Sequence, residues 1–426
     1  MSKRDLLSAI QADKDANTHL LQSFLQARSP NPPGDTVSSA RMITNFLSHH
    51  SVPFSIISPL NDAPNGVSTF ESSDSTRAPV LVMNGHLDVF PVSDAKDWRH
   101  DPWGGEIDDG RIYGRGVVDM KAGTAALVIA YVYLYQFRTH LPRGTCVLEA
   151  VSDEENGGLW GSKYLLDEDD RRELWMGDVV LNAEPSGLNS IRFGEKGSLR
   201  LTFTIKTQGG HGAFIHLDEG SIRVATRLIQ RLVSAIEGFQ AFTLDPEIAK
   251  HLAEPEVRRV IDEIMGPGAA DHIVRPTVNV GTISAGSKVN VIPNTCVFET
   301  DIRLPIGLTQ EPILNLIDNI LRDFPQTSYK IQAAASNPPN ASSPNHPLAD
   351  FIARNGEAVL GRKPVVIPSM GGTDVKHWRY RGVPGYSFGV SPEGMAGVDE
   401  SVSLEDFHNL IKVLAGAAWD FLGGAA

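Results

Sequence analysis

"NGHLDVFP" occupies residues 84–91 and follows the apolar run Val80-Leu81-Val82-Met83, so a histidine and an aspartate stand two positions apart where a buried strand should end. Side chains at i and i+2 of a strand share a face, which lets His86 and Asp88 touch. A carboxylate beside an imidazole fixes its tautomer and raises its basicity, the usual support behind a metal-ligating histidine. A polar turn after a strand is the alternative reading of so short a motif. Further ligands elsewhere in the chain decide between the two.

Three acidic motifs supply them. "GRGVVDMKAG" (114–123) puts Asp119 ahead of a helix-like stretch at 123–137, "AVSDEENGG" (150–158) puts Glu154 and Glu155 after an apolar run at 145–151, and "LNAEPSG" (181–187) puts Glu184 after another at 178–183. Short apolar runs alternating with helices predict an α/β fold with a largely parallel sheet and helices on both faces. The carboxyl ends of such strands form the ligand crevice, so His86, Asp119, Glu154, Glu155 and Glu184 should converge there. Several carboxylates share one crevice in ionised form only around a positive charge. Arg115 and Lys121 are the only basic residues in these motifs, which makes a divalent metal the economical answer. One imidazole, two carboxylates and a position open to water make a catalytic zinc site. A further carboxylate is then free to act as general base.

Bulk properties narrow the function class. A chain of 426 residues predicts at least two domains. The formal charge of −13 argues against nucleic acid and anionic membrane as partners, since both call for basic patches. No apolar run approaches the ~18 residues of a membrane span. The start reads as an amphipathic segment rather than a signal peptide, so a cytoplasmic location is expected. Cys146 and Cys296 fall in separate predicted strands and read as small core side chains, suited to a reducing compartment.

The first stretch predicts helices, with Leu20, Leu21, Phe24 and Leu25, then Val37, Ala40, Ile43 and Leu47, at helical spacing. Residues 59–78 read as a loop or loose hairpin. Near residue 190 the pattern changes: in "SLRLTFTIK" Leu199, Leu201, Phe203 and Ile205 alternate with polar residues, the mark of a strand with one wet face. A helix over 219–237 and strands near 277–283 and 295–303 complete an α+β insert. After about 310, helices alternate again with "PVVIP" and "PGYSF", as if the chain rejoined the first sheet. This predicts a discontinuous first domain, residues 1–189 and 309–426, with residues 190–308 inserted.

In order, "NGHLDVFP", "GRGVVDMKAG", "SDEENGG", "NAEPSG", "GGHGA", "GSKVNVIPNTCVFETDIRLP" and "GGTD" resemble the metallopeptidase family that includes acetylornithine deacetylase, succinyl-diaminopimelate desuccinylase and the folate-cleaving glutamate carboxypeptidase. The match runs from about residue 80 to 400. The resemblance implies a zinc-peptidase-like catalytic domain whose insert dimerises and acts as a lid, and hydrolysis of amide bonds in N-acyl amino acids and small peptides. It implies one or two zinc ions per subunit, with cobalt able to substitute. His86, Asp119 and Glu184 would hold one metal, and Asp119 would bridge to a second that also takes Glu155. Asp88 would orient His86, Glu154 would be the general base and His211 would steady the oxyanion. Asn290, Arg303, Gly371 and Gly372 would face a substrate that carries an amide and a carboxylate. A surface ion pair is the alternative for Arg303, and a turn residue for His211.

One motif departs from the pattern. The family completes its second metal site with a histidine about three residues before an Asn/Asp-Glu pair, and here "SPEGMAGVDESVSLEDF" keeps Asp399-Glu400 but has Ala396 at that position. His377, Asp374 and Asp399 are the candidate replacements. The leading expectation is a zinc-dependent amidohydrolase. The alternatives are an amide-forming or acyl-transfer enzyme, and a catalytically impaired homologue that binds small molecules; retention of both Glu154 and Glu155 speaks against the last.

Overall fold

The computed structural model describes residues 2–73 and 79–423. The chain divides into two compact units, one comprising Met1–Phe193, Ser342–Ile367 and Thr373–Ala426, the other Gly194–Ala341 and Pro368–Gly372. The second unit thus begins close to the expected 190 but runs past 308 to 341. The reason lies in pairing: the helix Gln310–Leu321 buries Ile313, Ile317 and Ile320 in this unit's core, and the strand Thr327–Ile331 pairs antiparallel with Gly197–Lys206.

The central sheet of the first unit is parallel where the sequence predicts it. The strand Val80–His86 lies between Thr145–Val151 and Val179–Asn182, parallel to both, and Gly385–Ser387 adds parallel to Val179–Asn182. These strands are near-continuous apolar runs because both faces are covered. Asn65–Glu71 pairs antiparallel with the outer side of Thr145–Val151 and forms a hairpin with Ser55–Ile57, in the region read as a loop or loose hairpin; residues 74–78 of that region lie outside the described residues. Its buried polar side chains have partners, Ser68 bonding the Pro53 carbonyl and the Tyr131 hydroxyl and Asn65 the Trp160 carbonyl, while Thr69 and Glu71 are exposed.

The helix Ala122–Gln136 is apolar on all sides and buried from Ala122 to Leu134, as expected of a helix at the centre of a large domain. Extended back to Val117 it is long and apolar enough to cross a membrane by composition, against the sequence expectation, but 94% of the 18-residue window that meets this criterion is buried within the fold. The N-terminal helices Lys14–Gln26 and Val37–His49 bury the residues their spacing predicts. Both cysteines are buried free thiols.

The second unit is a four-stranded antiparallel sheet, ordered Thr277–Ala285, Thr295–Leu304, Gly197–Lys206 and Thr327–Ile331. Its helix Ser221–Glu237 packs Val224, Leu228, Leu232 and Ile236 on the face carrying Leu199, Leu201, Phe203 and Ile205.

Candidate metal centre

Register aligns the strand ends that carry the acidic motifs. His86 is the last residue of its strand and pairs with Val151, the last residue of the neighbouring one, while Asn84 pairs with Asn182. Beyond Val151, Asp153 adopts a left-handed φ of 71° and starts a single 3-10 turn, Glu154–Asn156, which presents both glutamates over the crevice. Glu184 follows its strand by two residues, with its backbone N–H held by the Asn182 side chain at 2.8 Å. Asp119 sits in an irregular turn before the core helix, with φ −120° and ψ 98°.

The expected five side chains meet. His86 Nε2 lies 3.2 Å from Asp119 Oδ1 and 3.5 Å from Glu184 Oε1. Among the described residues, two donor sets have ligand atoms within 4.8 Å of one another: His86 with Glu154 and Glu184, and His86 with Asp119 and Glu155. Glu184 therefore groups with Glu154, and Asp119 with Glu155, around a shared imidazole.

Asp88 does its work differently from the contact first expected. His86 Nδ1 lies 2.9 Å from the Asp88 backbone carbonyl and 3.7 Å from its carboxylate. A carbonyl only accepts, so Nδ1 carries the proton and Nε2 offers a lone pair to the crevice. The Asp88 carboxylate instead accepts the backbone N–H groups of Glu154 and Glu155, at 3.2 and 3.1 Å, and the Asn31 amide at 2.9 Å. It sets the turn that carries the glutamates.

The electrostatics favour a cation in this crevice. Burial, then Asp119, pushes Glu155 up to about 10, and the same two causes hold Glu184 well above the carboxylate range. Burial pushes Glu154 up to about 7, opposed by the Lys376 ammonium 3.6 Å away. Burial disfavours a charged His86, yet the carboxylates of Asp119, Glu184 and Asp88 outweigh it and raise its pKa well above the ordinary value. Glu155 Oε1 is buried without a partner. An imidazole nitrogen turned into the crevice, four carboxylates and an unpaired buried oxygen fit a divalent metal in chemistry and in spacing, the metal taking the place of the proton on Nε2.

The candidate replacements for the absent histidine are engaged elsewhere. His377 Nε2 lies 3.2 Å from the Gly157 carbonyl and must donate to it, leaving no lone pair there for a metal. Burial, then Lys376, depresses its pKa to about 3, so the ring is neutral. Asp374 accepts the Ser162 hydroxyl through Oδ2 at 2.7 Å while its Oδ1 is buried without a hydrogen-bond partner, and Asp399 accepts the backbone N–H groups of Arg99 and His100. Ala396 is exposed at a φ of 58°. Lys376, Asn31 and the buried Arg115–Glu400 pair escaped the sequence reading. Lys376 stands two residues after the "GGTD" motif, but nothing in that spacing aims it at Glu154.

The remaining predicted residues belong to the second unit. His211 is exposed, and its Nδ1 accepts the Ala213 backbone N–H at 3.2 Å, so the proton resides on Nε2 as a donor requires. Asn290 is exposed and its carbonyl receives the Gly212 N–H at 2.8 Å. Arg303 is paired with Asp301 on the same strand at 2.9 Å. Gly371 and Gly372 are exposed, and a Cβ on Gly371 would meet nothing within 4 Å.

The model of Peptidase family M20/M25/M40 matches residues 82–420, nearly the whole span of the motifs. The chain belongs to that family. A succinyl-diaminopimelate desuccinylase of Cereibacter sphaeroides is 30% identical over 341 residues, covering 77% of this chain and 80% of the relative. Among solved structures, an M20 family metallo-carboxypeptidase from Sulfolobus solfataricus superposes with a TM-score of 0.78 at 20% identity, over 95% of this chain and 99% of its own. A dinuclear metal binding M20 peptidase from Bacillus subtilis gives 0.67 at 14% identity, over 97% and 99%. This family member is thus an enzyme of amide-bond hydrolysis whose donor residues lie at the strand ends of an M20 fold.

Proposed function

We propose that the chain is a zinc-dependent hydrolase that cleaves an amide bond in an N-acyl amino acid or dipeptide-like metabolite carrying a carboxylate. The observation that carries this reading is the pair of donor sets sharing His86, with Glu154, a member of one of them, next to Lys376. His86, Asp119, Glu155 and Glu184 would hold the metal, and cobalt would serve in place of zinc. A bound zinc supplies Lewis-acid polarisation of the amide carbonyl and lowers the pKa of water toward ~7. Glu154 takes the proton from the attacking water and returns it to the departing amine nitrogen. Asp88 holds Glu154 in place through the turn it caps. His211 supplies an Nε2–H for the tetrahedral oxyanion, Asn290, Gly371 and Gly372 contact the substrate, and Arg303 grips its carboxylate.

The experiment is a panel of N-acyl amino acids and dipeptides incubated with metal-stripped protein and with protein reloaded with zinc or cobalt. Release of free amine only after reloading is expected. A metal-loaded chain that hydrolyses no member of the panel would sink the reading.

The same proposal includes a cytoplasmic homodimer formed through the second unit. Its edge strand Thr277–Ala285 is largely exposed, and Ile283, Val289 and Ile222 are exposed apolar side chains of this unit. An open edge with apolar neighbours is a ready surface for a second copy. Light scattering is expected to give twice the chain mass at micromolar concentration, and a monomer throughout would refute it.

A further inference from the structure

The segment that lacks the family's imidazole still reaches the metal centre by another route. The strand Ser401–Ser403 pairs antiparallel with Arg111–Tyr113, Val402 opposite Ile112, and the Glu400 carbonyl accepts the Gly114 N–H at 2.9 Å. That register delivers the Glu400 side chain beneath the turn that carries Asp119. Its Oε1 accepts the backbone N–H of Val118 at 2.9 Å and that of Asp119 at 3.4 Å. Its Oε2 accepts the N–H of Gly116 at 3.1 Å and Arg115 Nη1 at 2.5 Å.

The turn needs such an acceptor. Gly116 is left-handed at φ 76°, and Asp119 leaves helical geometry, so its N–H groups have no regular helical ladder to join. Successive N–H groups aimed at one anion form a nest, and here the anion is a side chain. Arg115 is buried with Glu400, and its guanidinium lies 5.1 Å from the centre of the Trp98 ring. The carboxylate is thereby fixed from both sides.

We infer that Glu400, held by Arg115, is a positioning residue that fixes the Gly116–Asp119 backbone and so aims the Asp119 carboxylate at the metal. The inference rests on the metal-site reading above. It also gives the retained Asp399-Glu400 pair a use that does not depend on the histidine replaced by Ala396. Asp399 serves a separate purpose at Arg99 and His100.

Glu400→Gln tests it. The amide keeps the size of the side chain but puts an NH2 group where an oxygen accepted, opposing one of the pairs of donors and leaving Arg115 without its counter-charge. Residues that support a metal ligand typically change affinity by about 10–100-fold when altered. Zinc affinity, measured by competition with a chromophoric chelator, is expected to fall by that factor, and the visible spectrum of the cobalt form to change. Asp399→Ala is expected to leave both unchanged. If E400Q does not fold, Glu400→Asp, which retracts the charge by one methylene, is measured in its place with the same expectation of weaker zinc binding. A staple that serves only the fold would lower the thermal midpoint of the metal-free protein yet leave the affinity and cobalt spectrum of the folded form intact, and that result would overturn the inference. A wild-type chain that held no zinc or cobalt would overturn the metal-site reading itself, and this inference with it.

Discussion

Glu154→Gln is expected to bind metal as the wild type does and to lose about 10²–10⁴-fold in kcat, the usual contribution of a positioned general base. Glutamine matches glutamate in shape, so the turn capped by Asp88 and the backbone geometry of Glu155 are preserved. What disappears is the proton acceptor facing Lys376. The substitution also removes one negative charge from a crowd in which burial and mutual repulsion already raise Glu154, Glu155 and Glu184. Its effect should therefore fall on kcat, with KM little altered. Metal analysis after dialysis and steady-state kinetics on one reactive substrate decide the matter. Because Glu154 lies within one of the two donor sets, a variant that loses its metal would make it a ligand, and one that keeps most of its turnover would remove it as the base.

His86→Ala has the second large effect. Both donor sets include this one imidazole, so its removal leaves each with two carboxylates, and metal content after dialysis should fall to background along with turnover. The wild type is expected to retain one tightly held zinc per chain and to bind a second weakly, since His377 Nε2 and Asp399 already have other partners. The variant also leaves the Asp88 carbonyl without its donor, which costs about 1–3 kcal/mol at a buried site. The fold should survive with a lowered thermal midpoint. A His86→Ala chain that holds zinc as firmly as the wild type would show that the carboxylates alone make the site.

Much of this was legible because local chemistry and global placement agree. The run at 145–151 is bounded by Gly144 and by the polar Ser152-Asp153, and the strand has those limits. The donors could be brought together without coordinates because parallel strands must end on the same side, and each motif follows a strand or opens a helix. Where residues are polar yet buried, the sequence leaves alternatives open. Residues 59–78 read as a loop or a loose hairpin, and the hairpin forms between Ser55–Ile57 and Asn65–Glu71, with the distant Tyr131 making the buried Ser68 acceptable inside. The end of the insert was misplaced for a related reason: Thr327–Ile331 is a short, largely exposed strand whose assignment comes from pairing with residues more than a hundred positions earlier.

By itself the sequence determined the α/β architecture, the order of its metal-binding motifs and the five side chains that meet at the strand ends. Hydrophobic period and strand polarity act over a few residues and do not depend on what packs where. Tertiary structure decided how those side chains are held: that Asp88 caps the glutamate turn while its carbonyl sets the tautomer of His86, that His377 spends its Nε2 on Gly157, and that Glu400 gathers the backbone of the Asp119 turn. Each is a choice among acceptors separated by an ångström or less, or by hundreds of residues in the chain. Hydrogen bonds distinguish such acceptors by distance and angle, and only the folded chain supplies those.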